Sequence, residues 1–138
     1  MILLSSVNYL AVLFCGVIGV VLGWFWFSPF LFGKMWLDAI DRSDEEIKKN
    51  INPIKTFGLS FIANFVLAYV LARVMTFVNA TTISEGIRIG FLCWIGFTLA
   101  TNFINTLFEK RQLKLVILDA GYHLIVILTF GSILGLWQ

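Results

Sequence analysis

The sequence predicts an all-α membrane protein: four transmembrane helices in a bundle, with a short amphipathic cytoplasmic segment between helices one and two. Two observations carry that prediction. Of 138 residues, 59% are hydrophobic and only 13% charged, and the mean hydropathy is +0.92; a soluble domain carries about a quarter charged residues. The apolar residues are also gathered into four blocks, 7–32, 57–78, 83–108 and 115–137, each meeting the ~20 residues that a helix needs to cross the hydrocarbon layer. A closed β-barrel would show short alternating strands in their place. The four spans take up nearly the whole chain, which reads as a single membrane domain.

The first block has no basic residue before it, and Gly23-Trp24-Phe25-Trp26 stands where a cleavage site would need small residues. It reads as an uncleaved signal anchor. Gly16, Gly19 and Gly23 lie on about one side, with Gly19 and Gly23 forming a GxxxG, the spacing that lets a second helix approach closely. Gly86/Gly90 and Gly131/Gly135 repeat it. Tryptophans and phenylalanines crowd the exit of this block, as at a headgroup boundary. Ser28-Pro29 is expected to end or kink the helix.

The stretch 33–56 is the only appreciable hydrophilic one. Met35, Trp36, Leu37 and Ile40 give its first half an apolar side, suited to a helix lying on the membrane surface. Ser43 and Glu46 have capping-box spacing for a second short helix reaching about Ile51. Lys34, Arg42, Lys48, Lys49 and Lys55 lie between blocks one and two, and Lys110, Arg111 and Lys114 between three and four. The other connection and both ends carry no Lys or Arg. Because basic loops stay cytoplasmic, both termini are expected outside, in an inner (cytoplasmic) membrane. Arg73 and Arg88 lie a turn or more inside the outer ends, read as snorkelling or, through Glu85, paired. Cys15 and Cys93 fall inside apolar blocks and read as small buried hydrophobes.

Polar residues within the blocks point to function. Thr98, Thr101, Asn102 and Asn105 are spaced i, i+3, i+4, i+7 and share one helix face. Ser60 and Asn64 are one turn apart, as are Asp119 and His123, with Tyr122 beside them. At ~1.5 Å per residue, Asp119 stands about 6 Å and His123 about 12 Å from the start of the last block. With the predicted topology, Ser28, Asn64, Asn102, Asn105, Asp119 and His123 fall toward the cytoplasmic ends of their helices, and their convergence is the candidate binding site. Asn and Thr also serve as interhelical hydrogen-bond glue, and Asp119 near a helix N-terminus is favoured by the dipole. An ionisable pair in a membrane is costly, which favours a functional role for Asp119 and His123.

One histidine cannot make a zinc site within the chain. No phosphate-binding loop or nucleophile–base pair is visible, so nothing supports an enzyme, a metal or a cofactor. The basic residues sit in short loops and give no support to nucleic-acid binding.

At Trp26-Phe27-Ser28-Pro29, followed by Phe32-Gly33 and Trp36, the chain resembles a family of small bacterial four-span membrane proteins known as domain of unknown function 1761. The stretch Asp119-Ala-Gly-Tyr-His123 is similar to the last span of that family, and the resemblance covers nearly the whole chain. Phe27 stands where the family usually has Tyr. The resemblance implies fold and topology and no activity.

Two functions are expected from these readings. One is a homo-oligomeric protein, surrounded by the lipid bilayer, that binds or conducts a small solute or ion. Asp119 and His123 would be its proton- or cation-sensing pair, with Asn64, Asn102 and Asn105 as neutral ligands. The other is an interaction protein that docks another membrane protein or a lipid, its polar cluster purely structural. A haem held by His123 of two subunits is a third idea.

Overall fold

The computed structural model describes residues 7–40, 45–46, 52–110 and 112–137. The expected cap at Ser43 and the rest of that short helix, apart from helical Glu45 and Glu46, lie outside the described residues, as do Arg42, Lys48, Lys49 and Arg111. No strand occurs among the described residues. The helices are α1 (Tyr9–Trp26), α2 (Gly33–Ile40), α3 (Pro53–Phe77), α4 (Ile83–Cys93), α5 (Ala100–Glu109) and α6 (Leu113–Leu136). A π-helical turn, Trp94–Leu99, joins α4 to α5, so Ile83–Glu109 runs as one continuous third span. Four helices are thus long and apolar enough to cross a membrane.

Local chemistry sets the helix ends. The side chain of Asn8 accepts from Ala11 N at the start of α1, and Asn52 does the same for α3, with Pro53 in the first turn. At α4, Thr82 Oγ1 accepts from Glu85 N while donating to Glu85 Oε1, a capping box. Glu85 is engaged there and makes no salt bridge with exposed Arg88.

α1 stops at Trp26, short of the end of its apolar block, because the chain turns at Ser28-Pro29. Ser28 Oγ donates to Phe25 O at 2.6 Å, and Ser28 O accepts from Leu31 N and Gly33 N. A methyl group on Gly33 would sit 2.6 Å from Phe27 O, so only glycine fits. The turn brings the rings of Trp26 and Phe32 to 4.5 Å and those of Phe27 and Trp36 to 5.2 Å. The family-like motif is therefore the frame of this turn. On α2, Trp36, Leu37 and Ile40 are half-buried and Ala39 buried, whereas Met35 is exposed.

The spans pair in sequence order, α1 against α3 and α4 against α6, and α6 joins the pairs. Gly86 and Gly131 meet backbone to backbone, and Gly135 lies against Thr82 O. The buried core runs through Val12, Cys15, Met75, Val126, Phe130 and Leu134. Asn8 Nδ2 donates to Trp137 O at 2.8 Å, which holds the two ends of the described chain at one end of the bundle. Lys34, Lys55, Lys110 and Lys114 lie at the other end, all exposed.

Candidate functional site

Successive residues of a helix point about 100° apart, and this divides the polar residues of the spans into two groups on different sides of α6. The first group lies between α1, α3 and α6. Asn64 is buried, its Nδ2 donating to Ser60 O at 2.9 Å, and its side chain fills the space above Gly19. Tyr122 Oη donates to Gly19 O at 3.0 Å. A methyl group on Gly23 would sit 2.8 Å from Tyr122 Oη, and one on Gly16 3.0 Å from the Phe61 ring. Gly16, Gly19 and Gly23 thus face Phe61, Asn64 and Tyr122 in turn. Ser28 is buried in its own turn, away from this group.

The second group lines a cleft of about 280 Å³ bounded by Leu67 of α3, Phe97, Thr98, Thr101 and Asn102 of the third span, and His123 and Ile127 of α6. α3 and the third span meet over only a short stretch, and the cleft lies between them against α6. A second, apolar hollow of about 230 Å³ continues it along Val70, Leu71, Val74 and Cys93. Leu67, Phe97, Thr98 and Ile127 belong to both. Asp119, half-buried one turn below His123, acts on the imidazole electrostatically. Asn105 is exposed and lies outside the cleft.

The hydrogen bonding of these side chains separates them from the other hydroxyls of the bundle. Thr76, Thr106, Thr129 and Ser132 each donate to the carbonyl four residues earlier on their own helix, at 2.7 to 2.9 Å, which satisfies them internally. Among the described residues, the side chains of Thr98, Thr101, Asn102 and His123 make no such bond to protein. The π-helical turn runs directly into this group, with Ala100 N bonded to Ile95 O; π segments inside α-helices recur at functional sites.

Residues outside the candidate binding set also make contacts across the bundle. Trp94 Nε1 donates to Ala120 O at 2.8 Å, linking the π-helical turn to α6. Trp26 lies over Gly121, with a methyl there 3.3 Å from its Cζ2, and its buried Nε1 is without a partner among the described residues. Arg73 Nε donates to Tyr69 Oη at 3.0 Å, near the end of the bundle that holds Asn8 and Trp137. The five residues of the last motif thus face different neighbours. Ala120 meets Trp94, Gly121 meets Trp26, Tyr122 meets Gly19, and His123 meets the cleft. Tyr122 stood out in the sequence only as the neighbour of Asp119 and His123, and for Trp94 the sequence held no signal. No group of three or more metal-ligating side chains occurs among the described residues.

A family model described as "Protein of unknown function (DUF1761)" matches residues 10–135. The chain belongs to this family. No curated protein and no solved structure matched it. Both motifs that resemble the DUF1761 family have structural work in this fold, and they touch each other where Trp26 covers Gly121.

Proposed function

We propose that this DUF1761 protein binds a small solute or ion at the polar cleft and passes it across the inner membrane, working as a homo-oligomer. His123 and Asn102, with Thr98 and Thr101, supply the binding groups, and Asp119 tunes His123 as the proton- or cation-sensing partner. Asn64 and Ser28 serve the frame of the bundle, and exposed Asn105 serves contact between copies. The observation that carries this reading is the set of hydrogen-bonding side chains lining one cleft in the spans without hydrogen bonds to protein among the described residues. Unsatisfied polar groups in the hydrocarbon region are costly, and ionisable ones there mark substrate or proton paths. The basic loops support an orientation with both termini outside the cytoplasm.

The test is uptake or conductance by the purified protein in liposomes, with Asp119→Asn and Asn102→Ala alongside. Flux that both variants abolish is expected; a protein impermeant to every ion and solute offered would sink the transport role. For orientation, a cysteine placed between residues 44 and 49 should react only from the cytoplasmic side, and one at Thr81 only from the other.

A second reading has its own observation. Only 6% of the third span's most apolar stretch is buried, and outside the cleft it exposes Phe103, Ile104, Leu107 and Phe108 beside Asn105. That surface suits a scaffold docking another membrane protein or a lipid. Co-purification of a stoichiometric partner from native membrane would favour it.

A further inference from the structure

We infer that the cleft takes a single-chain, uncharged amphiphile, its hydrogen-bonding head among Thr98, Asn102 and His123 and its tail along Val70, Val74 and Cys93. The inference rests on the small-solute reading above and names the class of solute.

The two hollows form one continuous depression, polar at one end and apolar at the other. The apolar end follows α3 from Leu67 to Val74, about 10 Å at the helical rise. That is the shape of a molecule with one head and one tail. No Lys, Arg, Asp or Glu among the described residues lines either part. A phosphate or carboxylate head would enter with no lining Lys or Arg against it. An ammonium head would find no lining carboxylate. A hydroxyl, ester or amide head finds donors and acceptors in two threonine hydroxyls, an amide and an imidazole.

The sparse contact between α3 and the third span suits entry from the bilayer side, by which an amphiphile would reach the cleft without leaving the membrane. Lipid tails are as apolar as the cleft wall, and the tail gains little by moving from one to the other. Selection therefore falls on the head, where Thr98, Thr101, Asn102 and His123 are free of protein hydrogen bonds. Their counterparts elsewhere, such as Thr76 and Thr106, are bonded back to their own helices and select nothing.

The experiment uses the full chain in nanodiscs and a monoacylglycerol carrying a diazirine midway along its tail. After irradiation, the labelled residues are mapped by mass spectrometry. Label concentrated on Val70, Val74 and Cys93, several-fold above Leu107 and Phe108 of the outward face, is expected. Unlabelled monoacylglycerol should compete, and a lysophosphatidic acid of equal chain length should not. Thr98→Val and Asn102→Ala should each cut the labelling several-fold while helical content stays unchanged. Even labelling over the third span, or labelling indifferent to both variants, would overturn the inference. So would crosslinks from these positions to a second copy, which would make the cleft a contact between subunits.

A separate measurement isolates the parent reading. With Cys93→Ser in place, Thr101→Cys is treated with a small water-soluble thiol reagent. Reaction there without amphiphile labelling would overturn the amphiphile and leave the small-solute site standing. Failure of both measurements would remove both.

Discussion

Glycine contributes to this bundle at individual positions, each for a different neighbour. Gly86 and Gly131 are where α4 and α6 touch through their main chains, and a methyl group on either would run into the other's carbonyl. Gly58 has nothing within 4 Å of such a methyl. The same substitution should therefore act in opposite directions. Gly86→Ala should destabilise the protein by about 1–3 kcal/mol, as overpacking does. Gly58→Ala should stabilise it by up to about 1 kcal/mol through helix propensity. Unfolding in mixed micelles by added SDS measures both. Tyr122→Phe removes the hydroxyl from Gly19 O but keeps the ring. By the scale of interhelical hydrogen bonds in membranes it should cost about 0.6 kcal/mol in the same assay, with an upper end near ~2.

At the scale of elements, the four spans were legible because each is a long, predominantly apolar run. The turn after α1 was legible because Ser28-Pro29 cannot continue a helix. The grouping of polar residues was only partly legible. A shared position along the helices placed Asn64, Asn102, Asp119 and His123 near one depth, but depth does not specify direction. Tyr122 turns toward α1 and its neighbour His123 toward the cleft, so a single expected cluster is two groups. The π-helical turn at Trp94–Leu99 left no mark in the sequence, since apolar runs look alike at either pitch. Such a turn amounts to one inserted residue, so deleting Gly96 should convert it to α-helix with the flanking faces still in register. Stability should then be unchanged or higher by up to about 1 kcal/mol, because a helix-interior glycine is also lost. The group Thr98–Asn102 would lose its irregular backbone, and flux or ligand labelling should fall. Thermal melting together with the liposome assay separates the two effects; a fully active deletion variant would show the π-helical turn to be dispensable.

Across the whole molecule, the arrangement is two hairpins in series, α1 with α3 and then the third span with α6, each held more closely within itself than to the other. Two fragments, 1–80 and 81–138, should therefore assemble when expressed together. The binding evidence would be co-purification through a tag on one fragment, with Gly86→Ala weakening the second hairpin and leaving the first intact. Failure of the fragments to associate would mean that the connection Val78–Thr82, exposed except at Ala80, carries more of the fold than that exposure suggests.

The placement of α6 also bears on how the protein is made. Spans leave the ribosome in order, so α1 and α3 can close on each other before the rest exists. The third span then enters the bilayer with Thr98, Thr101 and Asn102 on its flank and no α6 to face. Only when His123 arrives, on the last helix, does that flank acquire a wall, and Trp94 acquires its acceptor at Ala120 at the same moment. During that interval the half-built chain presents polar groups to lipid, the condition under which a membrane insertase or chaperone would hold it longest.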